Sequence, residues 1–191
     1  MYYAIYKEVR NSVWKCLTDF ELDTLPIDVL KITRAAGIRV IKNSTVNDLL
    51  PEEHGKAYFD GSRWTIIYDD LESTPIARFT VAHELGHIFL GHDLKHIKYA
   101  EAFEFQKKPK SEQQADLFAM RLLCPACVLW GMNLQTSQEI AETCRIPLEI
   151  AQLRAKRMKV LYRRGKFLTD PMEQALYRQF GFDRSEPDMK K

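Results

Sequence analysis

Cysteine is scarce in this chain, with four in 191 residues, at positions 16, 124, 127 and 144. Four scattered thiols at this length do not make a disulfide framework. Glycine and proline are few as well, eight of each, while aromatics reach 11%, which excludes collagen-like, low-complexity and disordered chains. Charge of one sign is not in excess: 28 Lys and Arg against 26 Asp and Glu leave +2, so no global field directs the chain to nucleic acid. Apolar runs all break well short of the roughly 18 residues a membrane span requires. The N-terminal Met1–Arg10 has no basic start followed by a long apolar run and does not read as a signal peptide. These absences together lead to the expectation of a cytoplasmic protein with reduced thiols. What is present, 46% hydrophobic and 28% charged residues, suits one soluble globular domain or a domain with a small appendage.

Turn and capping residues divide the chain. Thr24 and Pro26 read as the start of a helix carrying Ile27, Leu30 and Ile32, with Gly37 as its terminator. Residues 38–42 read as a short strand. Asp60-Gly61 marks a turn between Lys56–Phe59 and Arg63–Tyr68, which predicts a β-hairpin. From Ser73 onward the periodic segments are helical. Ser73-Thr-Pro75 supplies a capping hydroxyl and a first-turn proline to a largely buried helix, with apolar Ile76, Phe79, Val81, Ala82, Leu85, Ile88 and Phe89 and with Gly91 to end it. Further helices are predicted over about 111–123, 137–144 and 147–160, and the polar stretch after Ser185 is expected to fray.

The strongest chemical signal is His83-Glu84-Leu85-Gly86-His87. Histidines four apart on a helix project from one face a turn apart, so both imidazoles can reach one Zn²⁺ at about 2.0–2.1 Å. Glu84, next to the first ligand, is placed to work on a water polarised by the metal rather than on the metal itself. A catalytic zinc needs a third protein ligand. His92 lies five residues after His87, and position 90 is leucine, so the longer three-histidine pattern is missed by one residue twice. His92 is left as an outer support or a surface residue, and His54 and His96 have no motif around them. On the next predicted helix, Glu112 and Asp116 are four apart and share a face, with Ser111 as a candidate cap. Glu112 could complete a His₂Glu site while Asp116 accepts from a ligand imidazole; alternatively both are solvated acids favoured by a helix start.

The strings Arg78–His92 and Glu112–Pro125 together resemble the two motifs of the ImmA/IrrE family of metallopeptidases over roughly residues 56–130. The resemblance implies zinc held by His83, His87 and Glu112 in a gluzincin-like set, with Glu84 catalytic. Asp116 stands where the family often has asparagine, and Cys124 where methionine is usual. Members of this family are cytoplasmic site-specific endopeptidases. They typically sit beside a helix-turn-helix repressor, often on mobile genetic elements, and cleave it to relieve repression; other relatives belong to toxin–antitoxin-like modules.

Other features carry weaker signals. Cys124-Pro-Ala-Cys127 has redox-pair spacing but lies in helical sequence, which favours packed thiols. Gly86 inside a helix costs roughly 1 kcal/mol against alanine; a close approach by substrate or a neighbouring strand would explain it, the alternative being a tolerated defect. Residues 137–154 resemble a helix-turn-helix packed through Ala141, Ile146 and Ile150. Seven basic residues between positions 154 and 166, Arg154, Lys156, Arg157, Lys159, Arg163, Arg164 and Lys166, make a nucleic-acid contact, an acidic partner's dock or a solvated face. The hairpin strand with Trp64, Ile66 and Tyr68 is expected to offer an edge to extended substrate, the alternative being a strand packed in the centre of the sheet.

The expected fold is α+β: a small antiparallel or mixed sheet beside the zinc helix, then a mostly helical C-terminal half. Residues 1–130 would form the peptidase domain and 131–191 a basic helical extension. The leading expectation is a zinc-dependent endopeptidase acting on a partner protein, with no membrane association. The rival is a zinc-containing regulator or toxin–antitoxin component that binds protein or DNA without cutting.

Overall fold

The computed structural model describes residues 3–93 and 109–183, so His96 and the stretch after Ser185 lie outside the described residues. In chain order the elements are α1 (Tyr3–Asp19), α2 (Val29–Ala35), β1 (Arg39–Lys42), α3 (Asn43–Val46), β2 (Gly55–Phe59), β3 (Trp64–Tyr68), α4 (Thr74–Phe89), α5 (Lys110–Leu123), α6 (Ala126–Gly131), α7 (Ser137–Cys144), α8 (Leu148–Arg164) and α9 (Pro171–Gln179). This is the α+β arrangement the sequence led us to expect. No helix among the described residues is long and apolar enough to cross a membrane.

The chain folds into two compact units, Met1–Ser12 with Asp28–Ala119, and Val13–Ile27 with Met120–Lys191. They are defined by contacts in space and do not follow a single cut in the chain.

In the first unit, β1, β3 and β2 form a sheet in that order, with β1 parallel and β2 antiparallel to β3. The β2–β3 turn is built by Asp60, whose Oδ1 accepts from the backbone N–H groups of Ser62 and Arg63, and by Gly61 at φ +97°. Trp64 to Tyr68 pair with Phe59 to Gly55 on one side, and Thr65 to Tyr68 pair with Arg39 to Lys42 on the other. That corrects one expectation: the strand carrying Trp64, Ile66 and Tyr68 is central, both its edges are taken, and it cannot add a substrate strand.

Helix α4 packs on β2 and β3. Its residues Thr80, Val81, Ala82 and Glu84 to His87 are buried, as expected of a helix with apolar residues on nearly every side. Ser73 occupies the cap position in extended conformation, but its hydroxyl makes no capping bond; its carbonyl accepts from Ala77 instead. At the other end the chain reverses as Gly91 takes φ +67°. The Gly91 N–H then reaches the Ile88 carbonyl and the His92 N–H reaches the His87 carbonyl, the paired bonds of a Schellman turn. Helix α2 starts later than Thr24 suggested, because Asp28 caps it by accepting from both Leu30 and Lys31.

The second unit is helical. Thr136 and Glu139 close a capping box on α7, and α7 and α8 meet through Arg145 in the left-handed region. The side chains buried there are Ile140, Cys144, Ile146 and Ala151; Ala141 and Ile150 are only half-buried, which shifts the expected packing face by one residue at two positions. Elements α1, α3, α6 and α9 were not anticipated. The α1 signal was present in Val9, Val13, Trp14, Cys16 and Leu17, all buried and at helical spacing.

Candidate active site

The site lies between α4 and α5 in the first unit. Gly86 makes that contact possible: a Cβ there would stand 3.1 Å from the Ala115 Cα, 3.1 Å from the Phe118 Cβ and 3.2 Å from the Ala115 carbonyl oxygen. The close approach expected of this glycine is therefore to a helix, not to a strand. It sets the α5 backbone beside the turn that joins His83 to His87. Glu112 and Asp116, one turn apart on α5, then face the two histidines. Ser111 lies inside the first turn of α5 rather than capping it.

Three donor groups converge. His83 Nε2 and His87 Nε2 are 3.0 Å apart. Glu112 Oε2 is 3.2 Å from His83 Nε2, and Glu112 Oε1 is 3.2 Å from His87 Nε2. One donor atom from each of His83, His87 and Glu112 lies within 4.8 Å of the others. Behind His83, Nδ1 is 2.9 Å from Asp116 Oδ1. A carboxylate can only accept, so His83 donates from Nδ1 and aims Nε2 inward. His92 Nδ1 is 3.0 Å from His87 Nδ1, on the ring edge away from the donor cluster, so His92 is not a third ligand in the cluster.

Glu84 sits deeper, with about 1% of its surface exposed and Oε2 buried without a hydrogen-bond partner. Its neighbours come from β2, which the sequence reading did not connect to the site. A Cβ on Gly55 would stand 2.4 Å from Thr80 Cγ2 and 3.8 Å from Glu84 Cγ, so the strand lies hard against this face of α4. The Ala57 backbone N–H supports the Glu84 carboxylate. The bonds from Asp60 N–H to the Arg63 carbonyl and from Asp69 N–H to the His54 carbonyl fix the ladder phase, in which Gly55, Ala57 and Phe59 direct their backbone polar groups away from β3. Gly55, the small residue opening an alternating strand, was the available signal.

Protonation follows from this packing. Burial pushes the Glu84 carboxyl up to about 7. For His83, burial acts downward, but hydrogen bonds to Asp116 and Glu112 outweigh it and hold the imidazole at about 10. Burial lowers His87 and brings His92 down to about 4. Burial would raise Glu112, yet His83 and His87 hold it well below the usual carboxylate range.

The donor chemistry fits a metal ion. Two imidazole nitrogens and a carboxylate facing one point are a catalytic zinc set. Glu112 Oε1 is also buried without a hydrogen bond, despite its nearness to His87. A cation among the three groups would satisfy that orphaned oxygen and separate the two facing nitrogens.

The remaining features divide. Arg154 is not part of a basic surface: it is buried, and its Nε donates to the Cys124 carbonyl at 2.8 Å. Lys156, Lys159, Arg163, Arg164 and Lys166 are exposed. Cys124 and Cys127 are buried free thiols, and burial pushes Cys127 up to about 12.

A sheet-backed helix with two histidines, a glutamate from the next helix and a buried second glutamate define a metallohydrolase type of centre. Residues 33–156 match the model of the IrrE N-terminal-like domain, Peptidase_M78, and the chain belongs to that family of metallopeptidases. No curated protein matches the chain.

Proposed function

We propose that this chain is a zinc-dependent endopeptidase with His83, His87 and Glu112 as metal ligands and Glu84 as general base and acid. The observation that carries the reading is the convergence of the three donors beside a buried carboxylate that has an unpartnered oxygen. Bound zinc would act as a Lewis acid on the scissile carbonyl and lower the pKa of water toward about 7. Glu84 takes a proton from the attacking water as its oxygen bonds to the carbonyl carbon. Glu84 then delivers that proton to the amide nitrogen as the C–N bond breaks, releasing a carboxylic acid and an amine. Asp116 holds His83 through Nδ1 and so aims Nε2 inward, where a bound metal would take the place of the Nε2 proton.

Extended substrate would pair along β2 through the outward backbone groups of Gly55 and Phe59 and the Ala57 carbonyl, the Ala57 N–H being held by Glu84. The substrate class is a folded regulatory protein with an accessible extended segment, and the family resemblance points to a helix-turn-helix repressor encoded nearby and cut in the cytoplasm. Residues 1–130 carry the chemistry in this reading. The exposed cations from Lys156 to Lys166 on the extension would meet the partner or, less directly, its nucleic acid.

The test compares new protein N-termini in host cells expressing wild type or Glu84→Gln at equal levels, with and without DNA damage. One dominant terminus, seen only with wild type, is expected. Identical sets of termini, with zinc bound in both proteins, would favour a regulator that binds without cutting.

A further inference from the structure

The end of α4 brings His92 back to His87 twice. In the backbone, the Schellman turn at Gly91 returns the His92 N–H to the His87 carbonyl at 3.0 Å. In the side chains, His92 Nδ1 lies 3.0 Å from His87 Nδ1, with the rings edge to face at 74°. Gly91, at φ +67°, is the residue that permits the reversal. The ring is half-buried, so this contact is not a loose surface encounter.

We propose that His92 is a positioning residue for the metal centre, accepting a hydrogen bond at Nδ1 from His87 Nδ1–H and thereby presenting the His87 Nε2 lone pair to the metal. The inference rests on the metal reading above. A ligand imidazole that coordinates through Nε2 must carry its proton on Nδ1, and that proton needs an acceptor. At His83 the acceptor is Asp116. At His87 the atom in reach is His92 Nδ1. Two facing nitrogens cannot both donate, so in this arrangement the His92 proton resides on Nε2, which is buried without a hydrogen-bond partner. The two ligand histidines are thus held by different means: His83 by a carboxylate one helix away, His87 by a neutral ring folded back from its own helix end.

Isosteres separate this role from space filling. Asparagine places its side-chain oxygen where Nδ1 stands; glutamine places its polar group nearer Nε2, and alanine removes both. Zinc affinity is measured for wild type, His92→Ala, His92→Asn and His92→Gln by competition with a chromophoric chelator, and visible spectra are recorded with Co²⁺ in place of zinc. The expected result is about 10–100-fold weaker zinc binding in His92→Ala, the range for loss of an outer hydrogen-bond partner. His92→Asn should recover most of that loss and the wild-type Co²⁺ spectrum, and His92→Gln should not. Recovery by Gln equal to Asn, or unchanged affinity in His92→Ala, overturns the proposal while leaving the metal site standing. Should the variants misfold, nitrogen-15 NMR of the zinc-loaded wild type decides: a proton on His87 Nδ1 and a bare His92 Nδ1 are expected, and the reverse contradicts the proposal. Failure of the wild type to bind zinc at all is a different outcome and overturns the metal reading itself.

Discussion

Two pairs of metal-seeking side chains stand at short spacing in this chain, and they meet opposite fates. His83 and His87, four apart on α4, have a carboxylate from α5 facing their Nε2 atoms and acceptors behind their Nδ1 atoms. Cys124 and Cys127, three apart across the junction of α5 and α6, are wholly buried in the second unit. Burial holds Cys127 protonated, and the backbone carbonyl of Cys124 is engaged by Arg154. A thiol needs to be a thiolate to bind metal or attack a disulfide. Apolar burial works against that, whereas at His87 burial favours the neutral imidazole a metal needs, and at His83 the charged partners Asp116 and Glu112 outweigh it. Spacing nominates a site; the groups brought up from other elements decide it.

The contrast can be broken at its strong end first. Glu112→Ala removes a ligand from the histidine site and should weaken zinc binding by more than the roughly 100-fold that outer partners cost, read as metal content after dialysis. Glu84→Gln should keep zinc and the thermal midpoint yet lower cleavage about 10²–10⁴-fold, the usual weight of general acid–base help, read on whichever substrate the N-terminal comparison identifies. Gly86→Ala forces contacts now at 3.1–3.2 Å against Ala115 and Phe118. Overpacking of that kind costs about 1–3 kcal/mol, offset in part by roughly 1 kcal/mol of better helix propensity, so a small net loss of stability is expected in urea melts. Because α5 carries Glu112, zinc affinity should fall along with it. Cys127→Ala should do least: about 1 kcal/mol of stability from the lost buried volume, and unchanged zinc content.

Much of the site was legible because its chemistry is local. His83, Glu84 and His87 share one helix, and a helix fixes their faces without further information. Glu112 and Asp116 needed the family resemblance as well as spacing, since two acids in a first helical turn are common without any ligand. Gly86 announced a close approach, but which element approaches is a tertiary fact. The strand order was not legible. A hairpin specifies that β2 and β3 pair, not that β1, from earlier in the chain, takes the far side of β3. That single parallel pairing takes the second side of β3 and leaves β1 and β2 at the edges of the sheet. Helix α1 was overlooked although its buried positions recur at helical spacing, because a screen for a leader sequence asks about long apolar runs and not about period. The turn at Gly91 was foreseen as a helix end. Its consequence, His92 folded onto His87, follows only once the paired bonds of the turn are seen.

The most direct test of the account is the ligand shell of zinc bound to the full chain, read by extended X-ray absorption fine structure in solution. The account predicts nitrogen and oxygen scatterers only, at about 2.0–2.2 Å, with imidazole features from two histidines that vanish when His83 and His87 are both replaced. A sulfur scatterer at about 2.3 Å would place the metal on the thiols and contradict it.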